Sequence, residues 1–568
     1  MKKKLLFAAI VISSFALCPQ LFFGEATSAQ VPGWDWAKTD SCGGQQIVRR
    51  ILNNATGSVV TGSFEGDSIV LGSLVLHNAY SLHQSSFIEK IDPSGNTLWA
   101  RLIIGDSSVV INGLAADASG NLYICGDFYG DSVRFDGQVI FNSAPPYQEN
   151  FLAKYDAFGM VVWAKSSGGQ YNDDVSGIAV DANGNVLVGG GFIGGTMSFG
   201  STTLLSPITT NSQYNLFIAK YSSVGSVLWA SSAGGLIGYI FDDAFGINSI
   251  TTDYDGNAYC SGYFMDSVVF SGAFEVYNSA PNTSNFEAFV AKYNAVGNLI
   301  WTKGIHNGLG DDVSIDDMEY GAIQGLIICG STTASPLYIA GQSVTLTMGT
   351  GGYNGFIAKL DTSGNALWGS GTNGGFDSYY YDVSLNNLGD IYVGGKFDNS
   401  SIMVGSTSLS NAGNSDVLLA KYNSIGNVAW ATSFGGTGIE WLGRLSVDPS
   451  DNVLVAGMFN HSGFNIGPNP IPTQSCTSFN FFLAKLGSNC SAAFIIQPDT
   501  IPHTWIATNF ALGISPITYT WDWDDGSPTS SGPTPSHIYS TPGYYNICLT
   551  ITDSTGCTST YCDSSTYI

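Results

Sequence analysis

Apolar and polar positions alternate in short runs along most of the chain, and glycine and asparagine punctuate the runs. Gly177-Ile178-Ala179-Val180-Asp181 reads as a strand, because its apolar period is two rather than 3.6. Ala182-Asn183-Gly184-Asn185 reads as a turn with Asn and Gly where positive φ is needed. Val186 to Gly190 is the returning strand. An insert with Phe199-Gly200 and Leu204-Leu205 follows, then a strand at Phe217 to Tyr221, a turn at Gly225 and a strand at Trp229. The unit is four strands in up-and-down order plus a variable insert.

The unit recurs. Phe151-Leu152-Ala153-Lys154-Tyr155 with Trp163-Ala164-Lys165 has counterparts around Lys90, Lys220, Lys292, Lys359, Lys421 and Lys485, in steps of 62 to 72 residues. A fixed period of this size means stacked or radial units. The first copy, Trp34-Asp35-Trp36-Ala37-Lys38, has only the second half of the hairpin. The last, Phe482-Leu483-Ala484-Lys485-Leu486, has only the first half. Lone edge strands are hazards that closure removes. The pattern therefore predicts an all-β chain whose repeats form a closed, seven-bladed β-propeller, the N-terminal strand completing the last blade.

In such a meander the first and third connections lie at one end and are tight, as in Asp92 to Gly95, Asp117 to Gly120 and Asp181 to Gly184. The long, irregular connections fall at the other end: Phe141 to Asn150, Ser206 to Asn215, Tyr277 to Asn285 and Pro468 to Phe479. Binding residues concentrate on loops held by a rigid scaffold, so a binding site is expected on the long-loop face.

The formal charge is −25, with 19 Lys and Arg in 568 residues. That argues against a nucleic-acid partner. Residues 1–29 read as a secretory signal: Lys2-Lys3-Lys4, an apolar run from Leu5 to Leu17, and small residues at Thr27-Ser28-Ala29. The expected location is secreted or cell-surface. No later apolar run reaches the ~18 residues of a membrane span. Cys125, Cys260 and Cys329 fall on matching strands of different repeats and read as small buried hydrophobes. Cys42 and Cys476 lie equal steps outward from Trp36 and Phe482; with Phe151 taken as opposite Trp163, they would face each other and form a disulfide stapling the array.

The repeated lysines are expected to serve the blade, through an ion pair or by covering apolar surface. The Asp-x-x-Gly-Asn turns, Asp253 to Asn257 most of all, resemble calcium loops but lack the alternating ligands and closing Glu. Acids on the passages between blades (Asp173-Asp174, Asp242-Asp243, Asp311-Asp312, Asp377, Glu440) precede the innermost strands. Asp174, Asp243 and Asp312 are the candidate metal ligands, ringing a channel mouth, and calcium is the one ion they imply. No catalytic residue, cofactor motif or metal-spaced histidine appears. Five arginines, two of them adjacent at Arg49-Arg50, argue against a substrate rich in anionic sugars.

After Leu486 the repeat stops. Trp521-Asp522-Trp523-Asp524-Asp525-Gly526, His537-Ile538-Tyr539, Gly543-Tyr544-Tyr545 and Leu549-Thr550-Ile551-Thr552-Asp553 together resemble a PKD-type immunoglobulin-like β-sandwich, with Trp523-Asp524 in place of the family's Phe-Gly. Cys490, Cys548, Cys557 and Cys562 fall here, so one or two disulfides are expected. The repeat itself resembles the SBBP-like β-propeller repeats of exported Bacteroidetes-type proteins, which implies a fold and a compartment but no reaction. The domains expected are 1–29 signal peptide, 30–488 propeller and 489–568 PKD-like sandwich. The leading function is a monomeric, non-enzymatic interaction protein that binds a glycan or a cell-surface protein. The rivals are a polysaccharide lyase or glycoside hydrolase, favoured by converging His, Arg, Tyr and acids, and a structural spacer, favoured by bland loops without a concave aromatic patch.

Overall fold

The computed structural model describes residues 31–563 apart from 40–43, 55–56, 81, 207–213, 235–245, 271–273, 280–284, 309–311, 340, 347, 350, 375–376, 399, 449–450, 461–462, 473–478, 488–491, 493, 500, 502, 510, 512, 514–515 and 554–557. The described residues form strands and turns, with no helix. None of them builds a helix long and apolar enough to cross a membrane.

Each repeat is an antiparallel meander. Val109–Ala116, Leu122–Phe128, Glu149–Tyr155 and Val161–Ser167 pair in that order, and the repeats on either side follow the same order. The last meander consists of Glu440–Val447, Val453–Phe459 and Asn480–Leu486, and its fourth strand is Trp34–Lys38. Trp36 lies opposite Lys485 there, as Trp163 lies opposite Lys154 and Trp229 opposite Lys220. The register corrects one expectation: the residue facing Trp163 is Lys154, and Phe151 faces Ser166. The equal-step count that paired Cys42 with Cys476 therefore starts from a different pair, and both cysteines lie outside the described residues.

The insert is more regular than its sequence suggests. Ser132–Phe135 and Gln138–Phe141 form a hairpin, and Val133, Arg134 and Phe135 pair with Gly105, Ile104 and Ile103 of the preceding repeat. The hairpins at Ser267–Val269, Leu337–Ile339 and Ser401–Val404 do the same. An outermost strand would otherwise present unpaired N–H and C=O groups. The insert supplies partners and straps one meander to the next.

Between meanders the repeated motif makes a second tie. Trp163 Nε1 and Lys154 Nζ both donate to the Ser223 carbonyl in the next repeat's third turn, at 3.3 and 3.2 Å. Trp229 and Lys220 do so to Ala295, Trp301 and Lys292 to Thr362, and Trp368 and Lys359 to Ser424. The composite pair behaves identically: Trp36 Nε1 and Lys485 Nζ donate to Pro93 O at 3.1 and 3.3 Å. The turn glycine lies against the same indole. At Gly297 φ is +88° and a methyl would sit 2.6 Å from Trp229. Gly297→Ala is expected to cost about 2 kcal/mol, from left-handed strain and overpacking together. A urea midpoint unchanged from wild type would refute that.

Innermost strands pack successively, from Gln46–Asn54 through Val109–Ala116 and onward to Glu440–Val447, which packs back on Gln46–Asn54. Buried apolar side chains fill the spaces between meanders; Tyr259, Phe289, Ile315 and Leu326 share one such cluster.

The C-terminal unit is two facing sheets. One holds Phe494–Pro498, Thr504–Asn509 and Ser536–Ile538; the other holds Ser530–Ser531, Thr518–Asp522, Ile547–Thr552 and Thr558–Asp563. Trp521 and Trp523 are fully buried and stacked, and Tyr539 donates to the Trp523 carbonyl. Asp524 takes φ +60° where the family pattern has glycine, a conformation Asp tolerates better than most residues. Cys548 and Cys562 form a disulfide across adjacent strands. Cys490 and Cys557 lie outside the described residues. Cys125, Cys260 and Cys329 are free and buried.

Candidate functional site

Every innermost strand carries a one-residue β-bulge at the same place. The bulged residues are Arg49, Asn112, Ser176, Asn248, Asp316, Tyr381 and Gly443. A bulge re-aims a side chain. Here all of them line one cavity of about 790 Å³, together with Tyr263, Lys396, Trp441 and Phe479. That volume falls within the roughly 300–1,000 Å³ of ligand pockets. Phe479 precedes the third strand of its meander and Lys396 ends a second strand, so the cavity opens on the long-loop face. A second cavity of about 320 Å³ continues toward the tight-turn face. Arg50, Ser176, Asn248, Asp316 and Arg444 line both and mark the neck between them.

Aromatic side chains gather at the mouth. Trp441 and Phe479 have ring centroids 4.8 Å apart, Tyr379 stacks on Tyr381 at 5.7 Å, and Tyr353 packs against Tyr379 at 5.5 Å. The wall is uneven in charge. Arg49, Arg50 and Arg444 stand on one side, and Asp316, Asp317, Glu319 and Asp382 on the adjoining strands. Asn112, Ser176 and Asn248 face them from the remaining strands.

Most of these acids have a structural task. An innermost strand is an edge, and side chains of the neighbouring repeat satisfy its free N–H groups. Asp317 accepts from Val383 N and from the Ser249 hydroxyl, Glu319 from Leu385 N, and Asp382 from Leu445 N. Ser384 and Ser446 do the same for Val447 N and Asn53 N. Burial pushes the Asp316 carboxyl up to about 7 and that of Glu319 to about 8, and it pushes Asp382 well up. Near neutral pH Asp316 and Glu319 are therefore only partly ionised.

The passage acids divide. Asp173 is buried beside Glu149, accepts from Gly169 N, and is pushed by burial to about 8. Glu440 accepts from Gly436 N, and Asp377 from Tyr353 N. Of the proposed metal ligands, Asp174 lies near Gly246 and Tyr263, at the cavity rim. Asp312 accepts from Phe286 N at 3.1 Å and from the Tyr353 hydroxyl at 2.5 Å. Asp243 lies outside the described residues. The Asp253 turn is filled by its own chain: Oδ1 accepts from Asp255 N and Asn257 N, and Oδ2 from Asn257 Nδ2.

Asp173, Asp316 and Glu319 have folded pKa values above the ordinary carboxyl range. The unfolded chain therefore releases protons first, near pH 4, and the folded chain only near pH 7 to 8. Stability is expected to fall as pH rises through that window and to level off above it. Melting temperatures at pH 5 and 8.5 check this, and Asp173→Asn should narrow the difference. A wild-type melting temperature higher at pH 8.5 would contradict it.

The bulge column was missed in the sequence, although a signal exists. Each bulged residue stands five positions before the first turn of its repeat, as Asn112 stands before Asp117, Ser176 before Asp181 and Asn248 before Asp253.

Fold and site define an all-β propeller-type repeat array followed by a PKD domain. The PKD domain family profile matches residues 507–567. Among curated proteins, an uncharacterized WD repeat-containing protein, L264, of Acanthamoeba polyphaga mimivirus is 22% identical over 467 residues, 70% of this chain. The match spans 33% of that protein's length. Among solved structures, the Pan2 WD40 domain of Neurospora crassa aligns with a TM-score of 0.29 and 8% identity, covering 67% of this chain and 90% of that one. Sqt1 from Chaetomium thermophilum aligns at 0.24 and 11% identity, covering 66% and 97%.

Proposed function

We propose that this chain is an exported, non-enzymatic surface or secreted protein that binds a glycan in the funnel on its long-loop face. The repeats form a closed seven-bladed propeller over residues 30–488. The PKD-like unit occupies 489–568, and residues 1–29 act as the signal. Closure is supported by the Trp36–Lys485 pair, which makes the same contacts as the Trp163–Lys154, Trp229–Lys220, Trp301–Lys292 and Trp368–Lys359 pairs. The observation that carries the ligand is the funnel wall: Tyr381, Trp441, Tyr263 and Phe479 offer flat apolar faces, and Asn112, Ser176 and Asn248 offer neutral hydrogen-bonding groups deeper in. A sugar presents the same mixture of apolar faces and hydroxyls. A concave aromatic patch also speaks against a mere spacer.

A glycan-array screen of residues 30–568, with and without calcium, tests this reading. Binding that Tyr381→Ala weakens about tenfold or more is expected. Calcium dependence would support Asp174, Asp243 and Asp312 as cation ligands. No binding in either condition would refute the glycan reading and favour a protein partner.

One observation favours a second reading, a glycoside hydrolase: Asp316 lines the funnel and its carboxyl is raised to about 7, as a general acid requires. No histidine lines the described cavity. Release of reducing ends from a bound glycan, abolished by Asp316→Asn, would establish it.

A further inference from the structure

Arg50 and Arg444 stand on strands from opposite ends of the repeat array, and both reach the same oxygen. Arg50 Nη1 donates to the Arg49 carbonyl at 2.8 Å, and Arg444 Nε donates to that carbonyl at 2.9 Å. Two guanidinium groups are thereby held side by side at the neck of the funnel. Arg444 also donates to Gly443 O and stands 4.0 Å from Asp382. Asp382 in turn is engaged by Leu445 N. Arg50 makes that one hydrogen bond with the five donors it carries, and no carboxylate lies within ion-pair distance of it among the described residues. Both side chains line the cavity and are open to what enters it.

Adjacent like charges repel, and this pair lies deep in the molecule. The guanidinium of Arg50 is lowered to about 9, by burial first and by Arg444 second. Asp382 and Asp317 offset part of this repulsion, while burial holds the Asp316 and Glu319 carboxyls up, to about 7 and about 8. Across the neck Ser176 and Asn248 are neutral, as is Asn112 just above them. In a chain of net charge −25, three of its five arginines meet at this one place. Arginine's planar fork suits a carboxylate, which it can bind through two parallel hydrogen bonds.

We infer that the neck is a carboxylate site and that the glycan bound in the funnel is acidic, with a uronic-acid residue whose carboxylate is gripped by Arg50 and Arg444 while its ring lies against the aromatic wall. This rests on the glycan reading and narrows it. It runs against the expectation that so few arginines argue against a substrate rich in anionic sugars: location decides here, not number.

The test is calorimetric titration of residues 30–568 with short oligo-uronates (galacturonate, mannuronate and glucuronate series) and with their methyl esters, which keep the ring and remove the charge. Tighter binding of at least one acid over its ester, by about tenfold or more, is expected, with the difference lost in Arg50→Gln at an unchanged melting temperature. Should Arg50→Gln fail to fold, the wild type still decides. Between pH 6 and pH 9.5 the preference for the acid should shrink, because Asp316 and Glu319 ionise and Arg50 begins to lose its proton. Arg49, Asp174, Asp317, Asp382, Arg444 and Lys396 are the other charged groups facing the neck and mouth. Equal affinity for acid and ester would overturn the carboxylate site and leave the glycan reading intact. Binding of neither, with capture of an acidic peptide instead, would overturn both.

Discussion

Deleting the strand Trp34–Lys38 is expected to abolish the folded monomer. The strand supplies the fourth member of the last sheet, pairing with Asn480–Leu486. Without it, the N–H and C=O groups along that edge of Asn480–Leu486 lose their partners, and an open, flat edge invites pairing with another chain. The loss extends beyond the ladder. Trp36 no longer reaches Pro93 O, Lys38 no longer pairs with the buried Glu89, and Trp34 leaves the edge of Phe434. The first and last repeats would then be joined through their innermost strands, the apolar cluster around Phe87 and Phe481 and the Lys485–Pro93 hydrogen bond. Light scattering after size exclusion should show aggregates or strand-exchanged oligomers, and circular dichroism a lost or broadened transition. A synthetic peptide spanning 31–39, added during refolding, should restore the monomer. A truncated chain that stays monomeric with the wild-type melting temperature would show that the composite sheet does not close the array.

Lys220→Ala should be the most damaging single substitution among the repeated lysines. Its ammonium lies 2.8 Å from Asp181 Oδ2, with side chains 3% and 1% exposed, and it also donates to Gly256 O and Ala295 O. The equivalent pairs Lys154–Asp117 and Lys421–Asp390 are more open. Removing one member of a buried pair strands the other, at a cost of about 3 kcal/mol or more. Burial alone would raise the Asp181 carboxyl, but hydrogen bonds from Lys220 and Asn185 hold it below the ordinary range. In the variant that support is halved, so part of the lost stability should return as Asp181 protonates toward pH 4. The double variant Lys220→Ala/Asp181→Asn should cost less than the sum of its parts, which a double-mutant cycle in urea measures. Lys396→Ala, which breaks the exposed pair with Asp398, should change stability by about 0.5 kcal/mol or less. Equal costs at Lys220 and Lys396 would mean that burial does not set the value of these pairs.

The strands, the turns and the pairing of the two half-hairpins were legible because each rests on local chemistry. Alternation marks the strand, Gly297 or Gly225 marks the left-handed turn, and Trp36 and Lys485 repeat what Trp229 and Lys220 do elsewhere. The insert hairpins were not read as strands. Runs such as Ser132–Phe135 are four residues long, and the edge they join belongs to a different repeat. The neck escaped for a related reason. A bulge is a property of two strands in register, and Arg50 and Arg444, 394 positions apart in the chain, meet only because the first and last repeats are neighbours. The passage acids were legible as a group, but their roles were not: Asp173 and Glu440 cap backbone at the start of their innermost strands, while Asp316, further along the innermost strand of its repeat, lines the channel.

Hydrogen exchange of residues 30–568, with and without saturating glycan, tests the site most directly. Binding in the funnel should slow exchange in peptides that cover the bulges, those holding Arg49-Arg50, Asn112, Ser176, Asn248, Asp316, Tyr381 and Gly443-Arg444, and should leave the tight-turn face and residues 507–567 unchanged. Protection confined to the PKD-like unit, or to the outer insert hairpins, would contradict a binding site at the centre of the propeller.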